Sequence, residues 1–205
     1  MTTPDRPEKK KTGIRDTSTI DVLASNTLTI EAFWEKYAGR PFELIQGMAV
    51  EKKGAGFLHS AICNRIATKL RIFVDEKGLG EVTSVGGAYA LSIDEVRQPD
   101  VAFVNRGKLA KVMNQQSYIP FTPDISVEVV SMVDTAREMR ARTRVYLETG
   151  GAQVWIVYPD AREVLEYLPD GTAKTYQGDQ VIEGSPSLPG LNLSVNAIFP
   201  PQDEE

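Results

Sequence analysis

The sequence predicts a mixed-sheet domain of the α/β or α+β class, and three observations predict it. A long amphipathic helix over 57–77 comes early in the chain, a meander of short strand-like runs follows, and a strand–helix–strand unit over 125–158 comes after them. This mixture of strands and helices is typical of a sheet that is covered by helices. The last unit predicts a right-handed parallel crossover, since its helix connects two neighbouring strands.

Length and composition suit one globular domain with tails. The 205 residues are 41% hydrophobic and 25% charged, which is close to the average of globular proteins. We expect residues 1–25, rich in Thr, Lys, Asp and Pro, to be a disordered arm, 26–199 to be the domain, and 200–205 to be an acidic tail. We find neither an export signal nor an apolar run of membrane-spanning length. The sequence therefore predicts a soluble cytoplasmic protein.

Charge and rare residue types exclude several classes of protein. The formal net charge of −5 excludes a histone-like protein that holds nucleic acid by bulk positive charge. It does not exclude a nucleic-acid enzyme whose acidic groups bind metal ions. The single cysteine, Cys63, excludes an intramolecular disulfide and suits a reducing compartment. The single histidine, His59, excludes zinc sites that are built from several histidines.

Local signals predict each element in chain order. Thr29 is expected to cap a short helix that ends before Gly39. Gln46-Gly47 is expected to form the turn of a hairpin, and apolar residues spaced by four from Leu58 onward define the long helix. A second helix is predicted over 134–149, and one helical turn is predicted near 108–112. Strands are predicted at 42–45, 48–51, 81–85, 88–93, 101–104, 125–130, 153–158, 163–168 and 172–176.

Three acidic residues interrupt the apolar strand patterns. Glu43 lies within FELI, Asp100 directly precedes VAFV, and Glu128 lies within ISVEVV. An ionised carboxylate in a dry interior costs on the order of several kcal/mol unless it is paired or metal-bound. The three acids together therefore predict a hard-cation site, because Mg²⁺ prefers oxygen ligands.

Each acid also has an ordinary structural explanation. Strand side chains alternate between two faces, so Glu43 and Glu128 would point to solvent if their strands were half-exposed. Asp100 would be a turn residue after Pro99. The explanation is weakest for Glu128, because a strand that leads into a helix is expected at the centre of the sheet.

The order of the motifs resembles that of the PD-(D/E)XK nuclease superfamily. The sequences that carry the resemblance are QPDVAFV at 98–104 and PDISVEVVS at 123–131. The chain is most similar to the restriction endonuclease branch, the Uma-type family, through FELIQG at 42–47, His59 in the following helix, and VWIV at 154–157. Any single motif is weak, whereas their order and spacing over about residues 29–199 are fairly specific.

The resemblance implies a restriction-endonuclease-like mixed β-sheet flanked by helices, with the active site at one sheet edge. It implies hydrolysis of DNA phosphodiester bonds with Mg²⁺ or Mn²⁺ as the cofactor. Asp100 and Glu128 are the implied metal ligands, with the backbone carbonyl of Val129 as a third, and Glu43 is an outer acid that orients the site. DNA is the implied partner. A homodimer is expected because double-strand cutting commonly needs two active sites.

Two positions depart from the pattern of the superfamily. The Lys expected two residues after the acid is Val130, and the position at which this branch carries a Lys on the next helix is Arg142. Because a guanidinium essentially never loses its proton, Arg142 is a poor general base. We expect it to bind a phosphate or to stabilise transition-state charge. Ser131-Met132 replaces the usual Ser-Pro.

The helical periodicity leaves the roles of two more groups open. His59 lies on the apolar face of its helix, either as a buried core histidine or close to the metal or phosphate. Arg142 lies on the buried side of its helix, beside Met139, where it either serves the site or pairs with Glu138. An exposed basic stripe is either a solvated face or a contact for the DNA backbone; it consists of Arg137, Arg140 and Arg144.

Three functions are consistent with the sequence. The leading hypothesis is a metal-dependent DNA endonuclease. The second is a catalytically weakened nuclease-fold protein that binds nucleic acid or a protein, which Arg142 and the acidic net charge favour. The third is a metal-dependent hydrolase of another phosphate ester.

Overall fold

The computed structural model describes residues 27–112, 117–184 and 186–201. The helices are α1 (Ile30–Tyr37), α2 (Phe57–Lys77), α3 (Arg106–Leu109) and α4 (Ala136–Glu148). The strands are β1 (Phe42–Ile45), β2 (Met48–Glu51), β3 (Gly80–Ser84), β4 (Tyr89–Ser92), β5 (Glu95–Arg97), β6 (Val101–Asn105), β7 (Ile125–Val129), β8 (Gln153–Tyr158), β9 (Glu163–Tyr167), β10 (Ala173–Gln177), β11 (Val181–Glu183) and β12 (Asn192–Ser194). A 3₁₀ turn, Val195–Ile198, follows the last strand.

The main sheet has six strands in the order β10-β9-β8-β7-β6-β3. Strands β7 and β8 run parallel, and the other neighbouring pairs in this sheet run antiparallel. Since α4 connects the parallel pair, the predicted parallel crossover is confirmed. The predicted mixed sheet is confirmed as well.

A smaller sheet has four strands in the order β2-β1-β5-β4, and β3 of the main sheet lies between β2 and β4 in the chain. Its first hairpin turns at Gln46 and Gly47, which have φ angles of 50° and 76°, so glycine relieves the strain at the second position. Strand β5 was not predicted, because it is short and two of its three residues are Glu95 and Arg97. Both of these charged side chains are buried, and they form an ion pair with each other.

Helices cover opposite faces of the main sheet. Helix α2 packs on the face that includes Val127 and Trp155, whereas Met139 of α4 packs on the face that includes Ile156. The expected flanking helices are therefore confirmed. Leu58 was predicted on the buried face of α2 but is 45% exposed, because burial along the helix begins only one turn later.

Most element boundaries agree with the predicted ones to within two residues. Helix α4 begins later than predicted because Thr135 caps it, in a capping box with Glu138. The short helix α3 overlaps the turn predicted near 108–112 but begins two residues earlier, and Asn105 caps it. The two-stranded sheet of β11 and β12 was not predicted, because each strand has only three residues.

The expected arm over 1–25 lies outside the described residues, as does most of the expected acidic tail. Within the described part of the chain, none of the helices has the length and apolar character needed to cross a membrane.

Candidate active site

The three carboxylates line one cleft, which lies at the ends of the interior strands β6 and β7 of the main sheet. Asp100 directly precedes β6, and Glu128 is near the end of the neighbouring antiparallel strand β7. Glu43 enters from β1 of the smaller sheet. The cleft has a volume of about 790 Å³. It lies between the smaller sheet, the start of α2 and one side of α4.

Asp100 is held by hydrogen bonds from two directions. Its Oδ2 accepts from the backbone N–H of Val129 at 2.9 Å and lies 3.1 Å from His59 Nε2. Burial acts to raise the pKa of Asp100, but the hydrogen bond from His59, the charge of Lys52 and the Val129 N–H outweigh it and hold the pKa below its usual value. Asp100 is therefore an anion at neutral pH.

His59 connects the Asp100 carboxylate to Cys63. The second ring nitrogen, Nδ1, lies 3.4 Å from Cys63 Sγ. The hydrogen bond to Asp100 raises the pKa of His59 above its usual value, against the opposing effect of burial. Because the imidazole lines the cleft and contacts an acid, the interpretation of His59 as a core residue is wrong. Cys63 is buried.

Glu43 is buried and surrounded by donors. The backbone N–H of Gln98 donates to Oε1 at 2.9 Å, and Arg97 Nη1 lies 3.3 Å from Oε2. Arg142 contacts both carboxylate oxygens, with Nη1 to Oε1 at 3.0 Å and Nη2 to Oε2 at 2.9 Å. Burial acts to raise the pKa of Glu43, but the charges of these arginines and of Lys52 outweigh it and lower the pKa.

Glu128 is also buried, and its contacts differ from those of Glu43. The hydroxyl of Tyr146 donates to Oε1 at 2.7 Å, and Arg142 Nη1 lies 3.3 Å from the same oxygen. Burial raises the pKa of Glu128 to about 7, because the attraction of Arg142 is opposed by the charges of Asp100 and Glu43. The explanation that Glu43 and Glu128 point to solvent is therefore wrong, since both are buried.

Arg142 lies between two acids of the cleft. The alternative in which it pairs with Glu138 is wrong, because the Glu138 carboxylate accepts from the backbone N–H and the hydroxyl of Thr135. Burial acts to lower the pKa of Arg142, but Glu128 and Glu43 outweigh it and raise the pKa, so that the guanidinium is permanently charged. The predicted basic stripe on the same helix is exposed and does not line the cleft; it consists of Arg137, Arg140 and Arg144.

Sequence reasoning missed two cations of the cleft, Lys52 and Arg97. Lys52 comes directly after β2, and its Nζ lies 3.7 Å from Asp100 Oδ1. Arg97 pairs with Glu95 and Glu43. The sequence contained a signal for Arg97, since it lies three residues before the predicted ligand Asp100 and two residues after another charged residue, Glu95.

The donor set of the cleft fits a hard cation. Among the described residues, neither Asp100 Oδ1 nor Glu128 Oε2 has a hydrogen-bonding partner, since Lys52 Nζ lies beyond hydrogen-bond distance at 3.7 Å. In Asp100 and in Glu128, therefore, one oxygen has no hydrogen-bonding partner among the described residues, while the other oxygen is fixed by protein donors. Mg²⁺ requires this kind of ligand and completes its shell with water.

The tightest group of ligand-bearing side chains in the described residues is His59, Cys63 and Asp100, whose ligand atoms lie within 4.8 Å of one another. Burial raises the pKa of the Cys63 thiol far above its usual value, so without a bound ion the thiol is neutral. The three carboxylates do not form so tight a group. Glu43 is held toward Arg142 and Arg97, which is consistent with its expected outer position.

Two comparisons with known proteins gave matches. The sequence model of the Uma2 family, described as "Putative restriction endonuclease", matches residues 30–196. A solved structure, described as that of "a putative nuclease belonging to DUF820 from Anabaena variabilis ATCC 29413", has a TM-score of 0.74 and 18% identity. The match covers 84% of this chain and 97% of that chain, and at this identity it shows the fold alone. No curated protein matches the sequence.

Proposed function

The chain belongs to the Uma2 family, described as "Putative restriction endonuclease", and from this membership we propose that it is a metal-dependent DNA endonuclease. The observation that carries the proposal is the hydrogen bond of 2.9 Å from the Val129 N–H to Asp100 Oδ2. This bond ties the acid at the start of β6 to the residue that follows Glu128. Two carboxylates from neighbouring strands are thereby held at one end of the cleft.

We assign the metal site to Asp100 and Glu128, with the backbone carbonyl of Val129 as a third ligand and Mg²⁺ or Mn²⁺ as the ion. A bound ion of this kind supplies two effects, a lower pKa of bound water and neutralisation of charge on a phosphate. His59 orients Asp100 through the contact of 3.1 Å between Nε2 and Oδ2. Glu43 and Arg142 orient Glu128 from the opposite side.

DNA is the proposed substrate because the cleft combines these acids with cations. Lys52 and Lys53 both line it, and ammonium groups contact phosphates without reading the base sequence. The acidic net charge of −5 is compatible with this substrate, because the proposed ion and the local lysines supply the positive charge where the phosphate binds. A homodimer stays a prediction, and light scattering after gel filtration would measure it.

Asp100→Asn tests the proposal, because it keeps the size of the side chain and removes the anionic oxygens. We expect the wild type to cleave DNA with Mg²⁺ or Mn²⁺ and to be inactive in EDTA. We expect Asp100→Asn to lose at least about 100-fold in rate, in the range found when a stabilising group is removed from an active site. The matched control is Asp75→Asn, an exposed acid of α2 that is about 24 Å along the helix from His59.

The substrates are duplex, single-stranded and branched DNA, together with simple phosphate esters. If the wild type leaves every DNA intact with either ion, the endonuclease proposal is wrong. Cleavage of the simple esters alone would instead favour a hydrolase of other phosphate esters.

A second candidate is a nuclease-fold protein with weakened catalysis that binds nucleic acid or a protein. The observation that favours it concerns Arg142, whose Nη1 lies 3.3 Å from Glu128 Oε1. This family branch carries a lysine at the position of Arg142. Arg142→Lys separates the two candidates. If Arg142→Lys cleaves DNA and the wild type does not, the wild type has weakened catalysis. If the wild type cleaves DNA and Arg142→Lys does not, the arginine supports catalysis.

A further inference from the structure

Lys52 lines the cleft beside Asp100. It follows the last residue of β2 and donates from Nζ to the backbone carbonyl of Gln98 at 2.6 Å. The same nitrogen lies 3.7 Å from Asp100 Oδ1, and 24% of the side chain remains exposed. The ammonium group is therefore fixed in place and still open to the cleft.

The other cations deep in the cleft are already paired. Arg97 binds Glu95 and Glu43, and Arg142 binds Glu43 and Glu128. These contacts place two arginines among three buried carboxylates, so the arginines neutralise protein charge. An ammonium group has three donors, and in the described residues only one donor of Lys52 is within hydrogen-bond distance of an acceptor. Lys52 thus has donors left for a ligand.

The neighbouring lysine does not share this geometry. Lys53 Nζ donates to the backbone carbonyl of Val133 at 3.1 Å, and this contact is exposed. Lys53 thus connects the segment after β2 to the segment before α4, on the outer rim of the cleft. Of the two lysines, Lys52 is the one whose ammonium group lies beside a proposed metal ligand.

We propose that Lys52 binds a non-bridging oxygen of the scissile phosphate and stabilises the negative charge that develops on it. This inference rests on the proposed function and assigns a cationic role at the phosphate to the segment after β2. The ammonium acts as a fixed positive charge in a partly buried site, where such a charge stabilises a transition state more strongly than in water. Arg142 is then a positioning residue for Glu43 and Glu128.

A purely structural role for Lys52 makes a different prediction. In that case the lysine would only tie β2 to Gln98 and balance the charge of Asp100. Its removal would lower the melting temperature and would leave the number of ionic contacts with DNA unchanged. The salt dependence of DNA binding separates the two roles, because its slope counts the phosphates that the protein neutralises.

The experiment compares wild type, Lys52→Met, Lys52→Arg and a control variant. The control is Lys77→Met, which makes the same change of charge at the exposed far end of α2. DNA affinity is measured over a series of salt concentrations in EDTA, and the cleavage rate is measured at saturating DNA and Mg²⁺. Melting temperatures report whether each variant is folded.

For Lys52→Met we expect the slope of log affinity against log salt to fall by about 1. We expect its cleavage rate at saturation to fall by about 100-fold or more. Lys52→Arg should keep the slope, and Lys77→Met should keep both the slope and the rate. A slope and a rate in Lys52→Met that equal those of the wild type would overturn this inference.

A lower rate with an unchanged slope would also overturn it, since that result describes a structural lysine. If the wild type cleaves no DNA, the proposed function itself fails, and the inference fails with it. Cleavage by the wild type combined with an unaffected Lys52→Met overturns the inference alone.

Discussion

Arg142 of α4 and Glu43 of β1 form a two-pronged ion pair across 99 positions of the sequence, with Nη1 to Oε1 at 3.0 Å and Nη2 to Oε2 at 2.9 Å. The carboxylate is buried and the side chain of the arginine is 16% exposed. The pair connects the smaller sheet to the helix that covers the main sheet. Both residues line the cleft.

Glu43→Gln should destabilise the protein strongly. The substitution removes one partner of a buried pair, a change that costs about 3–5 kcal/mol when the remaining charge is left unpaired. Because Arg142 keeps Glu128 at 3.3 Å, we expect a loss near the lower end of this range, about 3 kcal/mol. The free energy of unfolding in urea measures the effect. Glu35→Gln on the exposed side of α1 is the matched control and should change this free energy by less than about 0.5 kcal/mol. Equal stability of the two variants would contradict the importance of the pair.

Tyr146→Phe should lower the cleavage rate and should lower the free energy of unfolding by less than Glu43→Gln does. The hydroxyl donates to Glu128 at 2.7 Å, and its loss leaves a buried oxygen with one donor fewer, at a cost of about 1–3 kcal/mol. We also expect a slower cleavage rate, because Glu128 loses part of its orientation. Urea unfolding and DNA cleavage measure the two effects. Tyr118→Phe is the control, since its hydroxyl makes an exposed contact with Glu31 at 3.5 Å, and a loss of equal size there would count against a specific role.

Thr135→Ala should lower the free energy of unfolding by about 1 kcal/mol, because it removes the N-cap of α4. The hydrogen bonds from Thr135 hold the pKa of Glu138 below its usual value. A lowered pKa contributes stability above the pKa of the unfolded chain, about 4.3, and the contribution is lost as the pH falls through the folded pKa. The difference between wild type and variant should therefore be larger at pH 7 than at pH 3. A difference that grows toward acid pH would contradict the capping-box contribution.

Mg²⁺ should stabilise the folded chain through the proposed ligands Asp100 and Glu128. An ion that binds only the folded state at 100 times its dissociation constant adds about 2.7 kcal/mol. We expect the melting temperature to rise with Mg²⁺ and to fall back in EDTA, and we expect no rise in Asp100→Asn. Asp75→Asn should respond like the wild type. A rise that survives in Asp100→Asn would place the ion elsewhere on the protein.

Several parts of the fold could be predicted because their signals are local. The hairpin at Gln46 and Gly47 follows from turn chemistry, and α2 follows from apolar residues at helical spacing. Strand β5 could not be predicted, because Glu95 and Arg97 look like exposed loop residues until their partners are known. In the structure each neutralises the other inside the protein, and Glu95 also accepts from the backbone N–H of Gln46 at 2.9 Å.

The site residues illustrate the same division. Three acids within or directly before apolar strand patterns were together sufficient to select Glu43, Asp100 and Glu128 as candidates, although each acid alone has an ordinary explanation. The partner of Arg142 could not be predicted from the sequence. Helical spacing favours Glu138, whereas the observed partner Glu43 is distant in the chain.

The amino-acid order was thus enough for the class of fold, the strand–helix–strand unit and the candidate acids, because these depend on spacing along the chain and on residue type. Only the three-dimensional packing decided which acid pairs with Arg142, where His59 lies, and that Lys52 reaches Asp100. Electrostatic partners are selected by proximity and by the burial of both charges, and the packing of two separate sheets brings those charges together.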